Sequence, residues 1–127
     1  MKVIEGLKYS KEHEWVKVEG DIAIVGVTDF AQEQLTDVVF VELPEKGKEV
    51  EAGKNMGVIE SVKSVSDVFA PISGEIIEVN EQLSDKPELI NNDPFGEGWV
   101  AKIKIKDPVQ LDALMNHEEY TKTCEAH

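Results

Sequence analysis

The chain has 127 residues, 41% of them apolar, which suits one domain with a real buried core and is too little for two enzyme domains with a cleft between them. Its 26 acidic residues outnumber 13 basic ones, every one a lysine, and the resulting charge of −13 repels phosphate backbones, argues against nucleic-acid binding, and favours a soluble monomer that steers basic partner surfaces. No apolar run is long enough to cross a bilayer.

The first half reads as β-structure. Trp15-Val16-Lys17-Val18 alternates apolar and polar, Glu19-Gly20-Asp21 is turn chemistry, and Ile22–Val27 is a β-branched run. Thr28 and Asp29 can cap a short helix through Gln34, with Phe30, Ala31 and Leu35 on one face. Val38–Leu43 returns to strand, and Pro44-Glu45-Lys46-Gly47 turns. Lys48–Glu51 is short and polar, and Ala52–Asn55 turns again. Met56–Ser61 is a strand, Val62–Val65 a reversal, and Ser66–Ala70 the return, stopped by Pro71. After a turn at Ser73-Gly74, Glu75–Val79 is a strand. Residues 80–94 read as loop with one helical turn at Glu88-Leu89-Ile90, and Trp99–Ile105 alternates as the last strand. Asp107-Pro108 opens a helix with Leu111, Leu114 and Met115 on its apolar face. Asn116 with Glu119 forms a capping box for a final helix through Cys124.

This density of short strands predicts a sandwich or barrel. A weak internal echo, Gly20-Asp21-Ile22 against Gly74-Glu75-Ile76, fits either a duplicated hairpin or chance. A single cysteine, Cys124, excludes an internal disulfide and an iron–sulfur cluster, and fits a reducing compartment. Cys124 and His127 are three apart, but no second pair completes a zinc site, so a buried or terminal thiol is the better reading. With His13 and His117 the only other histidines, no Gly-rich phosphate loop and no nucleophile elbow, a catalytic set is not evident. Trp15 and Trp99 read as packing residues. The acidic tail (Asp112, Glu118, Glu119, Glu125) serves docking or simply solubility.

The most informative stretch is Gly57–Pro71, where two apolar strands flank Lys63 at the point of reversal. A lysine there projects its amine into solvent from a rigid base, the geometry of a covalent swinging arm, although an isolated turn lysine is ordinarily just surface. The segment resembles the attachment hairpin of lipoyl domains, with Glu60 before the lysine and Ala70-Pro71 and Gly74 after it. Val62 and Ser64 stand where a biotinyl domain has methionines. The resemblance extends in order through His13-Glu14-Trp15, Gly26-Val27-Thr28-Asp29, Ala31-Gln32 with Leu35, Asp37–Pro44, Glu60-Ser61-Val62-Lys63, Glu78-Val79-Asn80, Leu89-Ile90-Asn91, Gly98-Trp99 and Tyr120. Taken together these identify the chain as a member of the H-protein family of the glycine cleavage system.

That resemblance implies a mainly β fold, a barrel-sandwich hybrid of two antiparallel sheets with short helices, in a single domain of residues 1–127 with a core at about 15–106 and a helical extension at 107–127. It implies a non-catalytic carrier with lipoate bound covalently to Lys63. The partners are glycine decarboxylase (P protein), aminomethyltransferase (T protein), dihydrolipoamide dehydrogenase (L protein), and a lipoate ligase or lipoyl transferase. The arm, loaded with its aminomethyl group, parks in a cleft, where Glu14 matches the family's acid. Asp67 lies on the strand leaving the turn, and Ala31 and Leu35 supply an apolar wall; Glu12 stands where some members have serine. Glu60 and Gly74 match positions used for lipoylation recognition, and Gly74 is equally well read as a positive-φ turn residue. An H-like protein in lipoate relay or sulfur metabolism, or a chain that is never modified, are the alternatives. The N-terminus shows neither a secretory signal nor an Arg-rich presequence, which favours a prokaryotic cytoplasm, or the mitochondrial matrix for a processed chain.

Overall fold

The computed structural model describes residues 1–126. In chain order the elements are β1 (Lys8–Tyr9), β2 (Glu14–Glu19), β3 (Ile22–Val27), α1 (Asp29–Leu35), β4 (Val38–Glu42), β5 (Glu49–Val50), β6 (Asn55–Ser61), β7 (Val65–Phe69), β8 (Gly74–Val79), α2 (Gln82–Asp85), α3 (Leu89–Asn92), β9 (Ala101–Ile105), a 3-10 helix (Pro108–Ala113) and α4 (His117–Glu125). Two antiparallel sheets result, one of six strands in the order β1-β2-β3-β9-β8-β5 and one of three in the order β4-β6-β7. Among the described residues no helix is long and apolar enough to cross a membrane.

Alternation places the main core. Val16, Val25, Val41, Ile59, Val68, Ile76 and Ile103 are buried together between the sheets, joined by Leu35 from α1, Leu83 from α2 and Ile90 from α3. β2 breaks the simple pattern because both its faces are covered at the start. Glu14, Trp15 and Val16 are all buried. Trp15 belongs to a second cluster with Tyr9, Tyr120 and Cys124, which seats α4 against β1. Its ring lies over Gly26, its register partner, where a Cβ would meet the indole at 2.7 Å, and its Nε1 donates to the Pro94 carbonyl at 2.9 Å. Tyr9 and Tyr120 stack with centroids 4.5 Å apart.

The caps fall where the sequence places them. Thr28 accepts from the Ala31 N–H, and Asn116 and Glu119 form the reciprocal capping box. Three expectations change. Met115 is not on a helical face: the 3-10 helix ends at Ala113, and Met115 instead exchanges two backbone hydrogen bonds with Tyr9. The segment after Asn80 is more ordered than a loop, because Leu83 and Ile90 are both fully buried and two short helices bring them inward. Gly74 is not a positive-φ turn residue; that conformation belongs among the glycines to Gly6, Gly20, Gly47 and Gly53. It opens β8, where a Cβ would lie 2.0 Å from the Lys104 carbonyl oxygen and 2.6 Å from the Ile103 side chain, so the close approach of β9 demands glycine. The echo segments flank β9 out of step by one residue, Ile22 opposite Lys104 and Ile76 opposite Ile103.

Candidate functional site

Lys63 stands at the tip of the β6–β7 hairpin, and Ser61 holds that tip. The buried Ser61 hydroxyl accepts from the N–H groups of Lys63 (3.2 Å) and Ser64 (3.0 Å), while its own N–H donates to the Ser64 carbonyl at 2.8 Å. A serine side chain accepting from residues two and three positions on is the local chemistry of a tight turn. The next N–H, of Val62, donates to the Asp37 carbonyl at 3.0 Å and ties the tip to the segment after α1. The lysine root is therefore fixed while its exposed Nζ makes a long contact, 3.5 Å, with the Gln34 carbonyl.

From this tip a cleft of about 260 Å³ runs between α1 and β7. Ala31, Leu35, Val27, Ile59 and Val68 give it apolar walls, Ser64 to Ser66 form its lip, and Glu14 lies at its inner end. All four residues assigned to the cleft from sequence, Glu14, Asp67, Ala31 and Leu35, line it. Asp67 does not bring its carboxylate to Glu14, however. It shares a cross-strand row with Val58 and Glu42, and its Oδ1 accepts from Asn55 Nδ2 at 3.0 Å. From Ser64 to Phe69 the strand spans roughly 17 Å at about 3.3 Å per residue. A bare lysine side chain covers about 6 Å, so Lys63 approaches Glu14 only when lengthened by an acyl group.

Glu14 is only 2% exposed. Its Oε1 accepts from Ser10 Oγ at 2.6 Å and its Oε2 from the Phe69 N–H at 3.3 Å. Burial pushes its pKa from 4.5 up to about 8; those two hydrogen bonds hold it down in part, and the Glu12 charge at the cleft mouth adds to the rise. The side chain is therefore mostly a neutral acid at pH 7. A cation brought alongside reverses that preference.

Several supporting residues stand in the family motifs, but nothing local in the sequence shows what they touch. His13 adopts φ 70°, stacks on Phe30 at 4.6 Å and pairs Nδ1 with the Tyr120 hydroxyl at 2.8 Å. The same hydroxyl lies 2.6 Å from Thr28 Oγ1, the N-cap of α1. Tyr120 thus links α4 to both the loop before Glu14 and the helix that walls the cleft. Ser10 was detectable only as a serine four residues before Glu14. Glu60 is exposed beside the turn, in register with Phe40 and Val65. Gly74 lies past the hairpin's base, which is itself roughly 17 Å from the tip by strand rise, and opens a strand of the other sheet. Cys124 is buried, as read; His127 lies outside the described residues, and among those residues no cluster of three His, Cys, Asp or Glu side chains could hold a metal.

The family model for the glycine cleavage H-protein matches residues 7–127. The chain belongs to the glycine cleavage H-protein family. The glycine cleavage system H protein of Coprothermobacter proteolyticus is 59% identical over 94% of this chain and 95% of that one. The H protein of Carboxydothermus hydrogenoformans is 52% identical over 97% and 95%. The H protein 3 of Arabidopsis thaliana, a mitochondrial member, is 54% identical over 97% of this chain and 74% of its own. A crystal structure of a glycine cleavage system H protein from Mycobacterium marinum superposes with a TM-score of 0.84 at 38% identity, covering 94% of this chain and 97% of that one. Members of the H-protein family are non-catalytic carriers of a lipoate bound to a lysine, and the two-sheet fold described above is theirs.

Proposed function

We propose that Lys63 is the lysine that bears the lipoyl group and that the cleft ending at Glu14 is where the arm rests. The protein is the lipoyl carrier of the glycine cleavage system: it takes the aminomethyl group from glycine decarboxylase to aminomethyltransferase and then meets dihydrolipoamide dehydrogenase. The carrying observation is geometric. A turn braced by the Ser61 hydroxyl presents Lys63 at one end of a cleft, and a buried acid with a raised pKa lies at the other, one acylated lysine length away.

The bound group supplies an exchangeable disulfide that accepts, holds and releases a one-carbon unit. The chain's own residues do the rest. Attachment forms an amide between Nζ and the acyl carbon of an activated lipoyl donor; the activating group leaves and the amine gives up a proton, so the cation of Lys63 disappears. Leu35 and Ala31 exclude water from the arm's chain. Glu14 gives up its proton when a protonated amine arrives, and the resulting carboxylate holds that amine with Ser10 and Phe69 fixing its orientation. Glu60 is read by the attaching ligase or transferase, and Gly74 enters through the tight β8–β9 packing that sets the hairpin's base.

We place the protein in a prokaryotic cytoplasm, or in the mitochondrial matrix if it is a processed organellar chain, and residues 1–127 as one unit acting as a monomer. Intact-mass measurement of native protein with peptide mapping tests the attachment point: the lipoyl increment is expected on Lys63 and absent from Lys63→Arg. An unchanged modified mass in that variant would move the site elsewhere. Glycine–bicarbonate exchange by purified decarboxylase tests the role; no stimulation by the lipoylated protein would instead favour lipoate relay.

A further inference from the structure

The described residues leave seven large apolar side chains exposed: Met1, Val18, Val39, Phe40, Val62, Val65 and Val109. Four of them gather around the root of Lys63. Phe40, Glu60 and Val65 form one cross-strand row on the outer face of the β4-β6-β7 sheet, and all three side chains are exposed. Val62 is 68% exposed at the tip itself. Val39 joins them through a β-bulge: the register shifts between Val38 and Phe40, so Val39 has no ladder partner and two successive residues of β4 turn outward instead of one. A chain of charge −13 has polar residues in plenty for this surface, so an apolar cluster at this one end calls for a covering partner.

We propose that this row, Phe40–Glu60–Val65 with Val39 and Val62, is the docking surface for the enzyme that attaches the lipoyl group, and that this enzyme presents an apolar floor and a basic rim around its acyl-delivery opening. Reach selects that occupant. The attaching enzyme must act on Nζ, about 6 Å from the backbone of the turn, and so must lie directly on Val62 and its neighbours. The enzymes that take up the finished arm meet it at more than twice that distance and can stand off. Charge selects the rim: Asp37, Glu42, Glu60 and Asp67 are exposed around the apolar row, and complementary basic groups raise the encounter rate and fix orientation. The inference rests on Lys63 being the attachment point.

The test uses unlipoylated full-length protein, a purified lipoate-attaching enzyme and its activated lipoyl donor, with initial rates by intact mass and sites by peptide mapping. Phe40→Ser, Val62→Ser and Val65→Ser are each expected to lower kcat/KM about tenfold, chiefly through KM, with modification still mapping to Lys63. Val109→Ser, on the 3-10 helix, should stay within twofold, and Phe40→Leu should recover most of the lost rate. Raising salt should slow wild-type modification. Once lipoylated, the Phe40 and Val62 variants, which lie outside the arm's cleft, should be turned over normally by dihydrolipoamide dehydrogenase. Modification at Lys63 with all patch variants within twofold of wild type overturns the docking surface alone, as does an equal loss in Val109→Ser. An equal loss with the dehydrogenase overturns the choice of occupant. Modification at another lysine overturns both this inference and the reading beneath it. Should Phe40→Ser melt below the assay temperature, the two exposed valines at the turn decide the matter.

Discussion

Replacing Glu14 by glutamine should stabilise the protein, and do so increasingly as pH rises. The carboxyl is 2% exposed and holds its proton to about pH 8, against an ordinary 4.5. At ~1.36 kcal/mol per tenfold change in proton affinity, the difference corresponds to about 5 kcal/mol. The direction follows from proton counting. Below pH 4.5 both folded and unfolded chains carry the proton and the residue costs nothing. Between 4.5 and 8 the unfolded chain releases it while the folded chain keeps it, so folded stability falls by ~1.4 kcal/mol per pH unit; above 8 the full cost is present. A loss of about 5 kcal/mol is a large part of the total stability of an ordinary domain. Water entering the adjoining cleft will reduce it to some extent.

Glutamine keeps the shape and cannot ionise. With its carbonyl accepting from the Phe69 N–H, its amide donates to Ser10 Oγ, which reverses that bond and turns the Ser10 hydroxyl to the backbone carbonyl of residue 14. Urea unfolding of unlipoylated wild type and Glu14→Gln, followed by fluorescence of the buried Trp15, should therefore agree within about 1 kcal/mol at pH 5 and diverge by several kcal/mol at pH 8.5. Taking the difference between the two removes the background from the other acidic residues. A gap that is the same at every pH would refute the burial argument, because a packing difference alone does not titrate.

Three further outcomes are expected. Glu14→Ala should leave lipoylation of Lys63 unchanged but shorten the lifetime of the aminomethyl cargo, measured by release of its one-carbon unit; equal lifetimes would remove Glu14 from the holding role. Gly74→Ala puts a methyl group 2.0 Å from the Lys104 carbonyl oxygen and should cost about 3 kcal/mol or more in urea unfolding; an unperturbed midpoint would mean that β8 and β9 separate without penalty. Tyr120→Phe removes the hydroxyl shared by His13 and Thr28 and should cost about 1–3 kcal/mol. It should also loosen the arm cleft, seen as altered His13 ring signals by NMR; an unshifted His13 would cut the link between α4 and the cleft.

The strands were readable where side chains alternate and where turns carry Gly, Asp or Pro, because those patterns are local. β1 was not, since two residues make a strand only through partners at Trp15 and Met115, the second more than a hundred residues away. The pairing at Met115 also ended the helix expected there. The position of Lys63 at a hairpin tip was legible from its flanking strands; its attachment role rests on the ordered family motifs. The state of Glu14 was not, because its burial depends on a hydroxyl four residues back and a backbone N–H fifty-five residues ahead. Asp67 shows the limit of spacing arguments. One step along a strand turns a side chain to the opposite face, and the register gives Asp67 to the outer face beside Asn55 while its neighbour Val68 points into the core.

The cost of ionising Glu14 and the task of a carrier are two sides of one design. A carboxylate already charged and solvated at the end of the cleft would be screened by water and would shelter its cargo poorly. A deeply buried carboxylate with several strong donors would grip an amine too firmly to give it up. Glu14 lies between these limits: two hydrogen bonds, at 2.6 and 3.3 Å, offset only part of its burial, and the proton that it keeps near neutral pH would compete with an incoming cation. If Glu14 holds the arm's amine as proposed, their attraction in a water-poor cleft goes largely into removing that proton, which leaves a net hold that a docking enzyme can overcome.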